Sequence, residues 1–205
     1  MKVGIVGTGH VGRALGEGLK TKHEVRYASR NPSQAKVPGG TTAGSLKEIP
    51  RWAEVVIFAV PYPATRDVIA SIGPETLDGK VLVDARNVIG PSGDLAVGFT
   101  TSGAEELAKS LPRARVVKAF NSVFAGNMTT GRVGKDPLTL FVAGDDASAK
   151  RATLDLGRDL GFDPVDAGPL HSARYLEPLG MLNIRLGYGQ NLGSKIGVRL
   201  VRAPS

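Results

Sequence analysis

Apolar residues along this chain fall in short blocks separated by longer amphipathic stretches. Val3 to Val6, Glu24 to Ala28, Val55 to Val60, Lys80 to Asp84, Val116 to Phe120, Leu138 to Ala143 and Asp163 to Val165 read as strands. Val3 to Val6 and Val55 to Val60 are apolar at consecutive positions, as strands buried on both faces of a parallel sheet are. Between the first two blocks, Val11, Ala14, Leu15, Gly18 and Leu19 recur at i, i+3, i+4, i+7 and i+8 and predict a helix. Helices are also predicted from Ala64 to Ile72, from Ala104 to Ser110, and from Asp145-Asp146, which would cap it, through Leu160. Ser45 followed by Glu48 predicts a capping box opening a short helix with Leu46, Ile49 and Trp52. Residues 31–44 read as a loop or broken helix, residues 87–103 as a long loop, and residues 122–137 as loop with room for one short helix. A last helix is expected after Gly168-Pro169, broken or kinked near Pro178 and Gly180.

Strand and helix alternate throughout, which predicts an α/β fold with a doubly wound parallel sheet over residues 1–166. Residues 167–205 are expected to form a short helical extension that completes a pocket. In such sheets ligands bind at the carboxyl ends of the strands, so the loops after Val6, Ala28, Val60, Asp84 and Phe120 are the ones to watch.

The first of these loops reads Gly7-Thr8-Gly9-His10-Val11-Gly12, a G-x-G-x-x-G run between a strand and an amphipathic helix. That context makes it a dinucleotide grip and identifies the sheet as an NAD(P)-binding Rossmann fold. Gly7 permits the tight turn, and Gly9 lets backbone amides approach a pyrophosphate on the positive helix end. Thr8 can donate to a phosphate, and His10 lies beside the pyrophosphate path. Seventeen residues after Gly12 comes Ser29-Arg30-Asn31, where an NAD-binding chain usually carries an acid for the ribose hydroxyl. A hydroxyl, a guanidinium and an amide suit a 2′-phosphate, which points to NADP. Val60-Pro61-Tyr62-Pro63 would wall the nicotinamide, and Asn87 and Asn121, after two further strands, would hydrogen-bond its ribose or carboxamide. Lys118, inside a strand, His23, and His171 at a helix start read as structural or capping residues. No catalytic triad and no metal-ligand cluster emerges. Hydride exchange between two coenzymes needs chiefly alignment, so no catalytic residue is assigned.

Composition narrows the partners. The net charge of +7 favours anionic ligands, but the basic residues are scattered and only six Phe, four Tyr and one Trp are present, which argues against nucleic acid. The absence of cysteine excludes disulfides and thiolate metal sites. No apolar run approaches the roughly 18 residues of a membrane span, and the first strand begins at Lys2, so a cytoplasmic protein without membrane contact is expected.

With these residues in view, the chain resembles the NADP oxidoreductases that use the deazaflavin coenzyme F420. Gly7 to Gly12, Ser29-Arg30-Asn31-Pro32, the strand Val117 to Asn121, the segment Asp166 to Glu177 and the tail from Leu182 to Val198 carry the resemblance, which spans nearly the whole chain. It implies that Thr8, Ser29 and Arg30 hold the 2′-phosphate. It also implies that Val60, Pro61, Asn121 and Leu170 line the pocket where nicotinamide meets deazaflavin, with Tyr62, Phe120 and Ser122 beside them. Tyr62 stands where archaeal members carry Trp, Phe120-Asn121-Ser122 replaces Ile-Pro-Ala, and the loop Asp84-Ala85-Arg86-Asn87 also differs. In its Lys118-Ala119-Phe120-Asn121 stretch the chain is similar to the cytosolic oxidoreductase domain of the six-transmembrane metalloreductases, which pass hydride to a flavin.

The expectation is therefore an enzyme moving hydride between NADP(H) and F420, with the rings held roughly 3–3.5 Å apart in a dry pocket. Arg132, Lys135, Arg185 and Lys195 would receive the anionic F420 tail. A homodimer is expected from the family and from the apolar cluster Leu176, Leu179, Met181, Leu182, Ile184 and Leu186. Three alternatives stay open: an NADPH:flavin reductase using FMN or FAD, a reductase of a small carbonyl or imine, and a non-enzymatic NADP sensor.

Overall fold

The first apolar block forms β1, Lys2–Val6, buried from Val3 onward. The computed structural model describes residues 1–203. Next come α1 (His10–Leu19), β2 (Glu24–Ser29), β3 (Thr42–Ser45), α2 (Glu48–Trp52), β4 (Val55–Phe58), α3 (Thr65–Ile72) and β5 (Val81–Asp84). The chain continues through α4 (Gly103–Ser110), β6 (Arg115–Lys118), α5 (Ala125–Met128) and a hairpin of β7 (Arg132–Val133) and β8 (Asp136–Pro137). It ends with β9 (Thr139–Gly144), α6 (Ala147–Asp159), β10 (Asp163–Asp166) and α7 (Ala173–Ile184).

Eight strands make one sheet in the order β10-β9-β6-β5-β4-β1-β2-β3. The six from β3 to β6 are parallel and have the dinucleotide-binding order 3-2-1-4-5-6. Because side chains alternate across a strand, each central strand feeds two cores. Val3, Ile5, Val55, Ile57 and Val83 pack with Leu15, Leu19, Met128 and Leu156 on one side. Val6, Val56, Phe58 and Leu82 pack with Ile49, Val68, Ile69 and Leu107 on the other. The order reverses between β1 and β4, which places the switch point beside Gly7. No helix among the described residues is long and apolar enough to cross a membrane.

Four expectations need correcting or completing. The sheet is not wholly parallel: β9 runs antiparallel to β6 through Val117↔Gly144 and Lys118↔Ala143. Residues 31–44, read as loop, contain most of β3; this edge strand is half exposed, so it lacks the buried apolar run that marks the central strands. The final helix passes Pro178 without interruption and ends in a π-turn at Arg185–Gly189. Packing compensates for the lost proline donor, since Leu176, Glu177, Gly180 and Met181 on either side are all buried. Beyond Gly189 the tail is irregular rather than helical, and it returns to the start of β9, where the Thr139 amide donates to the Val198 carbonyl at 2.9 Å. The capping box forms reciprocally: the Glu48 amide donates to Ser45 Oγ at 3.2 Å and the Ser45 amide to Glu48 Oε2 at 3.1 Å.

Candidate active site

Two clefts meet at the amino end of α1. The first, about 260 Å³, lies at the carboxyl ends of β1, β2 and β4 and is lined by Gly7, Thr8, Gly9, Ser29, Arg30, Asn31, Val60 and Pro61, among others. Gly7 has φ +116°, and a Cβ there would lie 2.4 Å from the Ala59 carbonyl oxygen, so only glycine makes this turn. Gly12 carries the backbone crossing itself, since a Cβ would lie 2.2 Å from the Gly7 oxygen. Gly9 is different: a Cβ there would meet nothing within 4 Å. Its position is open to the cleft, and without a side chain it leaves the first amides of α1 uncapped. The cradle therefore fits a pyrophosphate, whose oxygens those amides would receive.

This contrast is testable. Gly9→Ala should cost at most about 1 kcal/mol of stability, the loss of a tolerated helix cap. Its methyl would nevertheless stand in the pyrophosphate path and weaken NADPH binding about tenfold or more. Gly12→Ala should destabilise the protein outright. Calorimetric titration beside urea unfolding separates the two, and undiminished NADPH affinity in Gly9→Ala would remove the pyrophosphate from this cleft.

At the far end of the same cleft, Ser29 Oγ accepts from the Asn31 amide at 3.2 Å. The turn leaves the serine proton free to be donated and projects the exposed Arg30 side chain at the cleft mouth. The three groups expected to recognise a 2′-phosphate are thus together.

The second cleft, about 610 Å³, begins at His10 and Val11, next in sequence to the first, and extends to Asn87, Asn121, Phe124, Asn183 and Tyr188. No Asp, Glu, Lys or Arg is among its lining residues. Asn121 reaches it through an unusual backbone. Phe120 has φ +68°, a left-handed conformation that sends its ring into the core, edge-on to Phe162 at 6.0 Å, and swings Asn121 to the cleft. Asn121 Nδ2 then donates to the Leu176 carbonyl at 2.6 Å. Asn87 Oδ1 is buried without a partner. Gly180 of α7 packs against both amides, for a Cβ on it would lie 2.6 Å from Asn121 Nδ2 and 2.9 Å from Asn87 Oδ1.

Four residues expected at the pocket lie elsewhere. Phe120 is in the core for the reason just given. Ser122 is buried, and its carbonyl accepts from Asn183 Nδ2 at 3.1 Å. Leu170 is packed in the core while its amide donates to Asp145 Oδ1. Tyr62 turns away from both clefts: its hydroxyl donates to Glu106 Oε2 at 2.6 Å, and its ring lies 5.8 Å from the Arg86 guanidinium. Burial and the Glu106 carboxylate push that hydroxyl up to about 12, so it keeps its proton near neutrality and spends it on Glu106. His171 is exposed against Tyr175, and His23 pairs with Asp159, both away from the clefts. Of the four cations expected for an anionic tail, Lys195 follows Ser194 of the second cleft, Arg185 pairs with Asp94, and Arg132 and Lys135 lie on the β7–β8 hairpin.

Sequence reasoning overlooked a buried ionic network beneath the second cleft. Lys118 Nζ lies 3.2 Å from Asp84 Oδ2 and 3.0 Å from Glu177 Oε1, and donates to the Arg86 carbonyl at 2.8 Å. The Arg86 guanidinium grips Asp84 through Nε at 2.7 Å and Nη2 at 3.1 Å and also reaches Thr65 Oγ1. Burial alone would raise the Asp84 carboxyl, but Arg86 and Lys118 prevail and hold it well below the usual carboxylate range. The available signal was Lys118 between the apolar pairs Val116-Val117 and Ala119-Phe120; in the β5–β6 register it stands opposite Asp84.

Known proteins place this arrangement. The sequence model of the family described as "NADP oxidoreductase coenzyme F420-dependent" matches residues 2–88. The metalloreductase STEAP3 of Rattus norvegicus is 34% identical over 193 residues, 88% of this chain but 37% of that protein, so the chain spans little more than a third of it. A crystal structure from Arthrobacter sp. FB24, described as "a putative f420 dependent nadp-reductase", superposes with a TM-score of 0.89 at 30% identity, covering 98% of this chain and 100% of that one. A reductive aminase from Aspergillus terreus in complex with NADPH, 18% identical and matched over 93% of this chain and 62% of its own, shares the fold with a TM-score of 0.68. By its full-length match to the Arthrobacter structure, and by the family motif that spans the first cleft, this chain belongs to the coenzyme F420-dependent NADP oxidoreductase family.

Proposed function

We propose that the protein passes hydride between NADP(H) and a deazaflavin, coenzyme F420, in the cytoplasm, where the reduced nucleotide pool is kept. The observation that carries this reading is the second cleft: free of Asp, Glu, Lys and Arg, largely apolar, and opening next in sequence to the dinucleotide cleft. When bound, the nicotinamide supplies the hydride. The chain's own part is to hold and align. Ser29, Arg30 and Asn31 would fix the phosphorylated adenosine end, and the Gly7–Gly9 turn the pyrophosphate. Val60 and Pro61 would close one wall. Asn87 Oδ1 would accept from an amide or imide N–H of a ring in the second cleft, satisfying an atom that otherwise has no partner. Val11, Val123, Phe124 and Ile184 would keep water out. A substrate that presents a phosphate or carboxylate at its reacting end finds no Lys or Arg among the lining residues, which disfavours small charged carbonyl substrates.

A flavin reductase is the second reading. It is supported by the Lys118-Ala119-Phe120-Asn121 stretch, whose Asn121 reaches the cleft, and by the similarity to a metalloreductase. The exposed Tyr175, Leu182 and Leu186, at i, i+7 and i+11 around α7, support a homodimer. The deciding experiment follows NADPH oxidation with F420, FMN and FAD in parallel. Turnover with F420 at least tenfold faster than with either flavin is expected. Activity with FMN or FAD alone would transfer the assignment to the second reading, and no turnover with any of them would leave a binding protein.

A further inference from the structure

We propose that Glu177 is a positioning residue, which through its buried ion pair with Lys118 sets the wall of the second cleft. The inference rests on the reading of that cleft as the acceptor-ring site.

Glu177 is 1% exposed and uses both carboxylate oxygens. Oε2 accepts from the Gly103 amide at 2.9 Å, and Oε1 from the Ala104 amide at 3.2 Å, at the positive end of the eight-residue helix α4. Oε1 also meets Lys118 Nζ at 3.0 Å. One carboxylate thus ties α7 to the start of α4 and to the end of β6. The residues on either side of it on α7 are the ones that meet the cleft amides. Leu176, one residue before, supplies the carbonyl that orients Asn121. Gly180, three residues after, touches both Asn121 and Asn87. Asn183 and Ile184, one further turn along, line the cleft directly. A shift of α7 by a few tenths of an ångström would therefore move Asn87 Oδ1 and Asn121 relative to a bound ring. The same network reaches the dinucleotide side, because Arg86 is adjacent to Asn87 and holds Thr65, the first residue of α3 after the Pro61 loop.

The charges also balance. Asp84 and Glu177 oppose Arg86 and Lys118, all of them buried. Removing one leaves a buried charge without its counter-ion, whereas removing Lys118 and Glu177 together leaves the neutral Asp84–Arg86 pair. Packing alone would not make the double variant better than either single one.

The test compares the unaltered protein, Glu177→Gln, Lys118→Met and the double variant Lys118→Met/Glu177→Gln. NADPH affinity is measured by calorimetry, the affinity of F420 and of FMN by fluorescence quenching at saturating NADP⁺, and backbone hydrogen exchange by mass spectrometry. In Glu177→Gln, amides of residues 173–184 are expected to exchange about tenfold faster, ring affinity to fall about tenfold, and NADPH affinity to stay within about twofold, with the double variant recovering most of the ring affinity. Unchanged exchange, unchanged ring affinity, an equal loss for NADPH, or a double variant no better than the singles each overturns the proposal. The functional reading fails differently, by the unaltered protein binding neither ring, and this proposal then falls with it.

Discussion

Asp84→Asn should lower the unfolding free energy by about 3–5 kcal/mol at neutral pH, the usual consequence of breaking a buried ion pair from one side. The side chain is fully buried at the end of β5, between the Arg86 guanidinium and the Lys118 ammonium. The amide keeps the shape and can still accept a hydrogen bond, so the loss is electrostatic: two cations then face Glu177 alone. A pH dependence follows. The folded carboxyl is held below its ordinary range by Arg86 and Lys118 against the opposing effect of burial. Its contribution is therefore complete above the unfolded value of about 3.9 and shrinks by about 1.4 kcal/mol for each pH unit below it. Urea unfolding of both proteins from pH 8 to pH 3 should show a constant gap down to about pH 4 that narrows beneath it. A gap under 1 kcal/mol at pH 7 would show that Arg86 and Lys118 do not depend on the Asp84 charge in the folded protein.

Legibility from sequence tracked the distance over which each feature is determined. The Gly7–Gly12 turn, the Ser45–Glu48 capping box and the Ser29–Asn31 turn are decided within a few residues, by turn chemistry and by reach of a short side chain. The central strands were equally plain, because burial on both faces demands consecutive apolar residues. What was not legible depends on partners far along the chain. Pro178 suggested a break, yet the helix it sits in is pinned from outside by Glu177 and by the fit of Gly180 against Asn121. The resemblance puts Phe120 beside the pocket, but a left-handed backbone at this residue, just beyond β6, turns its ring into the core instead. β9 runs antiparallel to β6, a direction that an alternation of apolar blocks and amphipathic stretches does not encode. For the candidate site the same division holds: the phosphate-gripping half could be read locally, while the second cleft is assembled from residues 10 to 194.

Arg30→Ala should separate the two pyridine coenzymes. Ser29, Arg30 and Asn31 meet at one end of the first cleft, with the guanidinium exposed and the serine hydroxyl free to donate while it accepts from the Asn31 amide. A guanidinium on a phosphate contributes about 1.5–3 kcal/mol as a charge-assisted hydrogen bond, so NADPH affinity should fall roughly 10- to 100-fold. NADH has no 2′-phosphate for Arg30 to lose, and its affinity should change by no more than about twofold. The selectivity lost in the variant should also be the part of unaltered NADPH binding most sensitive to salt, because the pair is solvent-exposed and screened over about 10 Å at 0.1 M ionic strength. Calorimetric titrations of both coenzymes at low and high salt measure all of this together. The discriminating quantity is the NADPH-to-NADH affinity ratio: its survival in Arg30→Ala would mean that the phosphate is held elsewhere, and the reading of the second strand's end as the NADP determinant would be wrong even though the Gly7–Gly12 cradle still bound a dinucleotide.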